Sequence, residues 1–586
     1  MLAITIVLTL FAGRLIQLQG MESAQLKQAA NQEKLVKEVL PASRGTIYGS
    51  NGQILAMTVE TYAIAWDPKL IKAADMPADA QKLSGLLGVS ATKVLDLLRH
   101  PSSAEYVQLA TGVSAENEQK IVALNIPGMV PPGQMTPAQP TSSRVYPNGT
   151  STANVVGLTS VNSTTGVISG YEGLEEEYNS LLTGTNGSED MLQSLDGQEI
   201  PLAGTTDDTP AKNGESIKLT INPEIQYEAQ QACEDEVTKT DAMDCSVVVE
   251  QPKTGAILAM AQWINPADAA WAGSDDGTSN IAVQKVFAPG STAKVITASA
   301  ALEKGGLTPM TSYPIPSVLY RGGQSIRDAE WTPGEDYTIA GIIANSSNVG
   351  MSQVVASVPP QTQYDYLKNF GLDEPTGLSF PGESQGLLQA PSQWAADERY
   401  TLSYGQGISV NAVQMASVYA TIANGGVRVQ PTLIEGTYNS AGQYVPARPS
   451  PSRRVIQPET AKELTQILQQ VPGVDAEANQ NWGEISGYAI AAKTGTANET
   501  STNPAQPCPA SNPECLYGSS YIGMAPGNDP GVVVAVNVQD PDTATDFFGD
   551  EVAGPVFYSV MNFALQTLQI QPQPGLSAPY VRLNGN

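Results

Sequence analysis

Ser291 and Lys294 stand three positions apart in Ser291-Thr292-Ala293-Lys294, a spacing that puts a hydroxyl and an amine on one face of a helical turn. A serine with a neutral amine in reach is a nucleophile supplied with its own base, as acyl transfer through a covalent ester requires. Two other groupings could serve the same chemistry. Ser346-Ser347-Asn348 offers a hydroxyl and a carboxamide, and Lys493-Thr494-Gly495 offers a cation beside a hydroxyl and a glycine. None is specific alone, because each has copies: Ser90-Ala91-Thr92-Lys93, Lys253-Thr254-Gly255, and S-x-N at Ser160–Asn162, Ser409–Asn411 and Ser501–Asn503.

Context separates the copies. Ser90 precedes a run of helix formers and reads as an N-cap, with Lys93 a solvated first-turn residue. Pro252-Lys253-Thr254-Gly255 reads as the tight turn of a hairpin. Ser291 instead follows the chain-breaking Pro289-Gly290 and opens an apolar helix that ends at Gly305-Gly306. Lys294 is the sole charge from Thr292 to Leu302, so it is buried or lines a cleft.

The elements around these residues are legible as an α+β pattern. Ser346 follows the apolar run Ile339–Ala344, and Lys493 sits on a strand whose Gly495 marks a close approach to the backbone. From Ile217 the chain reads as a strand running into a helix, then a hairpin around Pro252–Gly255, then a helix-rich stretch to about residue 425. Three strands in series and a final amphipathic helix follow, which suggests one sheet combining both ends of the segment. Upstream, residues 21–40 have helical spacing, and Arg44–Pro68 reads as a hairpin turning at Ser50-Asn51-Gly52. The polar stretch around 200–215 reads as a domain boundary.

Composition narrows the chemistry. The 586 residues hold 58 Asp+Glu against 30 Lys+Arg, for a net charge of −28, which opposes binding nucleic acid through phosphate neutralisation. One histidine, His100, excludes Ser-His-Asp and Cys-His catalysis and His₂ or His₃ metal sites. No metal or other cofactor is expected, and proton transfer falls to lysine, carboxylate or tyrosine. Cys233 and Cys245, and Cys508 and Cys515, are spaced for two short-range disulfides in an oxidising compartment, although four cysteines allow three pairings. The apolar N-terminal run is short of the roughly 20 residues that span a bilayer. It is read as an uncleaved anchor lacking its cytoplasmic basic tail, with a buried helix as the alternative.

The three groupings occur in the order S-x-x-K, S-x-N, K-T-G, the signature of serine penicillin-recognising enzymes. With VFAPGSTAKVITASAAL, YGQGISVNAVQMASVYATIANGG, SRGTIYGSNGQILA, RVYPNGTSTANVVGLTS and GYEGLEEEYNSLLTGTNG, the chain resembles a class B penicillin-binding protein, in style the septal cell-division type of an actinobacterium. The resemblance implies a membrane anchor over 1–19, an elongated mixed pedestal over 20–215, a transpeptidase domain over 216–572 and a tail over 573–586. It implies a central antiparallel sheet flanked by helices, and a single-pass plasma-membrane protein with its bulk outside the cell. The activity implied is peptidoglycan D,D-transpeptidation: cross-linking of stem peptides, with D-Ala released and β-lactams acylating the same serine.

By the same resemblance Ser291 is the nucleophile, Lys294 the base, Ser346 a proton relay, and Asn348 orients Lys294 and the substrate amide. Lys493 and Thr494 hold the substrate carboxylate, Gly495 admits close approach, and backbone N–H groups of Ser291 and Thr496 form the oxyanion hole. Implied partners are the D-Ala-D-Ala donor stem, an amine acceptor, β-lactams, the membrane, a lipid II-polymerising glycosyltransferase and other division proteins. A D,D-carboxypeptidase or β-lactamase and a non-enzymatic β-lactam sensor or scaffold are the alternatives. Two features depart from the general motif: Ser347 stands where the S-D-N form has Asp, and the Cys508–Cys515 insertion follows K-T-G-T.

Overall fold

The computed structural model describes residues 2–17, 35–101, 103, 106–130, 141–162, 167–193, 199–200, 209–268, 279–329, 334–477, 484–499, 508, 515–542, 547–573 and 578–585. The apolar N-terminal run forms α1 (Leu2–Ile16), and its side chains, Leu8, Leu10 and Phe11 among them, are exposed rather than packed into a core. Its 15 residues rise about 22 Å, less than a bilayer core. No helix among the described residues is long and apolar enough to cross a membrane. Residues 1, 18 and 19 of the expected anchor lie outside the described residues.

The helix read up to Pro41 is corrected at its end. Leu35–Leu40 is a strand, β1, paired antiparallel with Gly187–Gln193 from Leu35 opposite Leu192 to Leu40 opposite Gly187. Val36 and Val39 suit an extended backbone, and a cross-strand partner far along the chain outweighs weak local helical spacing. The remainder of that expected helix, residues 21–34, lies outside the described residues. β2 (Ile47–Tyr48) and β3 (Ile54–Trp66) form the expected hairpin, turning where Gly52 adopts φ +84°. Ile64 and Trp66 of β3 pack with Leu83, Ile121 and, from α2 (Ala91–Arg99), Val94 and Leu98.

Three sequence blocks of the pedestal converge on one buried carboxylate. Arg44 Nε and Arg144 Nε each donate to Glu175 at 2.7 Å, and all three side chains are almost wholly shielded from water. Removing one partner of such a group leaves a buried charge unpaired, at about 3–5 kcal/mol. β4 (Ser216–Leu219) then pairs parallel with β2 and antiparallel with Ile434–Tyr438. The expected boundary at 215/216 therefore falls on a strand shared by one eight-stranded sheet, which ties pedestal to the following segment.

The second segment is built around a sheet buried on both faces. Asn222 caps α3 (Pro223–Thr240), and β5 (Asp244–Gln251) turns into β6 (Ala256–Ile264). Helices follow: α4 (Lys294–Lys304), α5 (Ile339–Ala344), α6 (Asn348–Val354), α7 (Ala412–Ala423), α8 (Pro458–Leu468) and α9 (Val471–Glu477). β7 (Ala491–Glu499), β8 (Leu516–Ala525), β9 (Val532–Gln539) and α10 (Gly549–Thr567) complete it.

The strand order is β6-β5-β9-β8-β7, antiparallel throughout, so strands from the two ends of the segment meet at the β5–β9 ladder. Alternation sorts the valines. Val247, Val249, Val534 and Val536 pack with α3 and α10, whereas Val248, Val533 and Ala535 face the larger core with α4 and α7. Burying each such side chain contributes about 1.5–3 kcal/mol, which is why these strands are apolar on both faces. A Cys233–Cys245 disulfide ties α3 to β5 (Cα–Cα 5.3 Å), and Cys508 and Cys515 pair at 5.5 Å.

Candidate active site

Ser291 lies in a 3-10 turn, Gly290–Ala293, whose last residue hands over to α4 at Lys294. The turn is gripped from two sides. Gly290 takes φ +53° and donates its N–H to the Gly405 carbonyl at 3.0 Å, while Phe287 and Val410 exchange two backbone bonds. A Cβ on Gly290 would stand 3.2 Å from both Ala497 Cβ and the Thr496 carbonyl, so the turn lies against β7. Tyr419 Oη from α7 donates to the Thr292 carbonyl at 2.9 Å.

Lys294 reaches back one turn, as its spacing requires, and its Nζ lies 3.0 Å from Ser291 Oγ. It also contacts Ser346 Oγ at 3.3 Å and donates a short bond to the Ser346 carbonyl. The side chain is completely buried. Burial holds its pKa well below the ordinary lysine range, the nearby Lys493 cation lowers it further, and Asp328 opposes both. An amine in that setting can accept a hydroxyl proton, which an ordinary surface lysine cannot do near neutral pH.

Ser346 sits between α5 and α6 with φ +56°, a left-handed conformation that costs a non-glycine residue of the order of 1–3 kcal/mol. Bonds from Ser346 N to Ile343 O and from Ser347 N to Ile342 O hold it there. The N-capping role falls to its neighbour: Ser347 Oγ accepts from Gly350 N at 2.8 Å. Ser347 Oγ also donates to Asp328 Oδ2 at 2.6 Å, and Asp328 Oδ1 accepts from Val349 N at 2.9 Å. Asp328 was not legible as a site residue, because it lies 19 positions before Ser347 in an ordinary polar stretch. Asn348 opens α6, and its Oδ1 is buried with no hydrogen-bond partner among the described residues.

Lys493 is also completely buried. Its Nζ lies 3.0 Å from Ser346 Oγ, 3.1 Å from the Thr494 carbonyl and 3.2 Å from Thr494 Oγ1. Burial lowers its pKa, while the carboxylates of Asp475 on α9 and Asp550 on α10 pull the other way. Gly495 meets the expected close approach: a Cβ there would fall 2.4 Å from Ser520 Oγ and 3.0 Å from the Pro289 carbonyl. Thr496 Oγ1 accepts from Gly549 N at 3.0 Å, and among the described residues no strand pairs with the outer edge of β7.

The copies set aside on context lie elsewhere. Ser90 caps α2 by accepting from Lys93 N, and exposed Lys253 pairs with Asp529 at 3.1 Å in the β5–β6 turn. Asn411 caps α7, Ser160 and Asn162 are exposed, and Ser501–Asn503 lies outside the described residues. His100 is on the pedestal surface, 3.0 Å from Asp96. Ser291, Lys294, Ser346, Lys493 and Thr494 form a continuous chain of polar contacts.

Comparison with known proteins agrees with this arrangement. The family profile described as the penicillin-binding protein transpeptidase domain matches residues 245–562, and that of the penicillin-binding protein dimerisation domain matches residues 39–219. Penicillin-binding protein PbpB of Mycolicibacterium smegmatis is 31% identical over 98% of this chain and 91% of its own. Peptidoglycan D,D-transpeptidase FtsI of Escherichia coli K12 is 28% identical over 97% of this chain and 91% of its own. The crystal structure of penicillin-binding protein 3 from Mycobacterium tuberculosis, complexed with aztreonam, superposes with a TM-score of 0.66 at 27% identity, covering 93% of this chain and 100% of that one. A transpeptidase domain behind a dimerisation domain, with Ser291 and Lys294 of S-x-x-K joined through Ser346 of S-x-N to Lys493 of K-T-G, places this chain in the class B penicillin-binding protein family.

Proposed function

We propose that the chain is a membrane-anchored peptidoglycan D,D-transpeptidase that works through a Ser291 acyl-enzyme, at the division septum. The observation that carries the reading is the contact chain from Ser291 Oγ through Lys294 Nζ and Ser346 Oγ to Lys493 Nζ, with Lys294 buried and its pKa depressed. Neutral Lys294 takes the Ser291 proton as Oγ attacks the carbonyl carbon of the penultimate D-Ala. Backbone N–H groups of Ser291 and Thr496 receive the developing oxyanion. Collapse breaks the C–N bond, and Ser346 passes the proton from Lys294 to the leaving D-Ala amine. An acceptor amine then attacks the ester, loses its proton along the same path and regenerates the Ser291 hydroxyl.

Lys493 and Thr494 hold the carboxylate of the donor stem through charge-assisted hydrogen bonds. The unpaired edge of β7 accepts the extended donor as an added strand. The orphaned Asn348 Oδ1 supports a role toward the donor amide, since an incoming N–H would satisfy it. A β-lactam acylates Ser291 by the same attack on its strained amide. Apolar, exposed α1 supports the anchor; the septal role and the division partners, including a lipid II-polymerising glycosyltransferase, rest on resemblance. Labelled penicillin should attach covalently to the purified chain, and Ser291→Ala should abolish attachment, whereas Ser90→Ala and Lys253→Ala leave it unchanged. Label retained on Ser291→Ala would sink the assignment. A fluorescent fusion distributed along the side wall rather than at the septum would remove the septal part.

A further inference from the structure

The described residues after α10 bond to the segment before β7, to the joint between α8 and α9, and to the start of α5. Tyr488 Oη donates to the Ile570 carbonyl at 2.5 Å, and Gln573 N donates to the Gly487 carbonyl at 2.7 Å. Both contacts brace the segment that leads into β7 and Lys493. Gln470, at the joint between α8 and α9, donates its side chain to the Pro579 carbonyl at 2.9 Å. α9 carries Asp475, whose charge acts on Lys493.

The last described residues then lie antiparallel to Asp336–Thr338. Thr338 N donates to Leu583 O at 2.9 Å, Gly585 N donates to Asp336 O at 2.7 Å, and Asn584 stands opposite Tyr337. Thr338 is the N-cap of α5: its Oγ1 accepts from Gly341 N at 3.1 Å and donates to the Arg582 carbonyl at 2.7 Å. A Cβ on Gly341 would fall 2.1 Å from Leu583 O, so this segment is pressed directly onto α5. Every residue of α5 is buried, and its far end leads straight into Ser346. A short helix packed on all sides shifts as a body rather than bending, so what holds its start also sets its end.

The character of these contacts matters. A segment that only covered apolar surface would do so with side chains, as Val581 and Leu583 do against the core, while Tyr580 points to solvent. Backbone carbonyls and amides bonded to a helix cap and to a helix–helix joint add direction as well as area. We propose that residues 578–585 are a positioning segment of the active site, holding Ser346 and Lys493 in register with Lys294 by capping α5 and bracing the α8–α9 joint. This rests on reading the site as an acyl-transfer centre.

The test compares the rate of acylation by labelled penicillin in the full chain, in a chain ending at Ala578, and in Thr338→Val and Thr338→Ser. The shortened chain should reach the parent's final labelling about 10- to 100-fold more slowly, the scale attached to displacing a catalytic group by about 1 Å. A synthetic peptide of residues 578–586 should restore the rate. Thr338→Val should be slowed as well, and Thr338→Ser, which keeps the hydroxyl, should match the parent. Should the shortened chain fail to fold, the two Thr338 variants decide. An unchanged rate, or a slowing that neither peptide nor serine restores, would overturn the proposal. A parent chain that takes no label would sink the acyl-transfer reading and this proposal with it.

Discussion

Ser346 Oγ and Lys493 Nζ meet at 3.0 Å although 147 positions separate them in sequence. Because Ser346 Oγ is also 3.3 Å from Lys294 Nζ, one hydroxyl bridges two buried lysines and joins the helical half of the site to the strand half. A hydroxyl can donate to one neighbour while accepting from another, which neither lysine can do while charged. That asymmetry makes Ser346 the hinge of any proton path between Ser291 and a leaving amine.

Ser346→Ala should therefore slow acylation by about 10²- to 10⁴-fold, the usual weight of a positioned proton-transfer group. Stopped-flow acylation by a chromogenic β-lactam checks this, and an effect below threefold would remove Ser346 from the path.

The pH dependence of acylation should follow Lys294. Burial first, then Lys493, lowers its pKa, and Asp328 raises it. The neutral amine is the active form, so the rate rises as pH increases through the depressed pKa. Asp328→Asn removes the opposing charge and should move the acidic limb to lower pH. Lys493→Met removes the second cation and should move the limb to higher pH, on top of a lower plateau. Limbs that shift in the same direction would contradict the assignment of Lys294 as base.

Ser347 and Asp328 should behave as one unit. Ser347→Asp would set a second carboxylate against Asp328, where Ser347 Oγ now donates at 2.6 Å. It should destabilise the chain, whereas adding Asp328→Asn should recover most of the loss. A coupling of about 0.5–3 kcal/mol is the range for residues in contact, read from a double-mutant cycle in urea. Additive effects would mean that Asp328 does not hold the start of α6.

Gly495→Ala should impair the site through backbone displacement. The new methyl meets the Pro289 carbonyl at 3.0 Å and Ser520 Oγ at 2.4 Å; the first is backbone of the segment leading into Ser291 and cannot rotate away. Overpacking of this kind costs about 1–3 kcal/mol. Acylation should fall by at least tenfold with a modest drop in melting temperature, and a crystal structure should show the Gly290–Ala293 turn moved away from β7.

Much of the fold was legible because its signals are local. The hairpins at Gly52 and Gly255, the strand running into a helix from Ile217, and the cap at Ser90 depend on residues within a few positions of each other. β1 was misread for the opposite reason, since its partner is Gly187–Gln193 and nothing nearby encodes that pairing. Asp328 was missed likewise: an acidic residue in a polar stretch has no signature until α6 folds against it.

By itself the sequence determined the reactive pair, because i and i+3 on a helical turn bring Ser291 and Lys294 together wherever that helix sits. It also excluded imidazole chemistry through a single histidine, and it identified three motifs in the order a penicillin-recognising enzyme needs. Tertiary structure alone decided that Lys294 and Lys493 are both buried, that Ser346 bridges them, and that Asn348 Oδ1 has no hydrogen-bond partner among the described residues. Desolvation and charge proximity shift a pKa only when distant segments exclude water around the group, so the base was written in the sequence and its basicity in the packing.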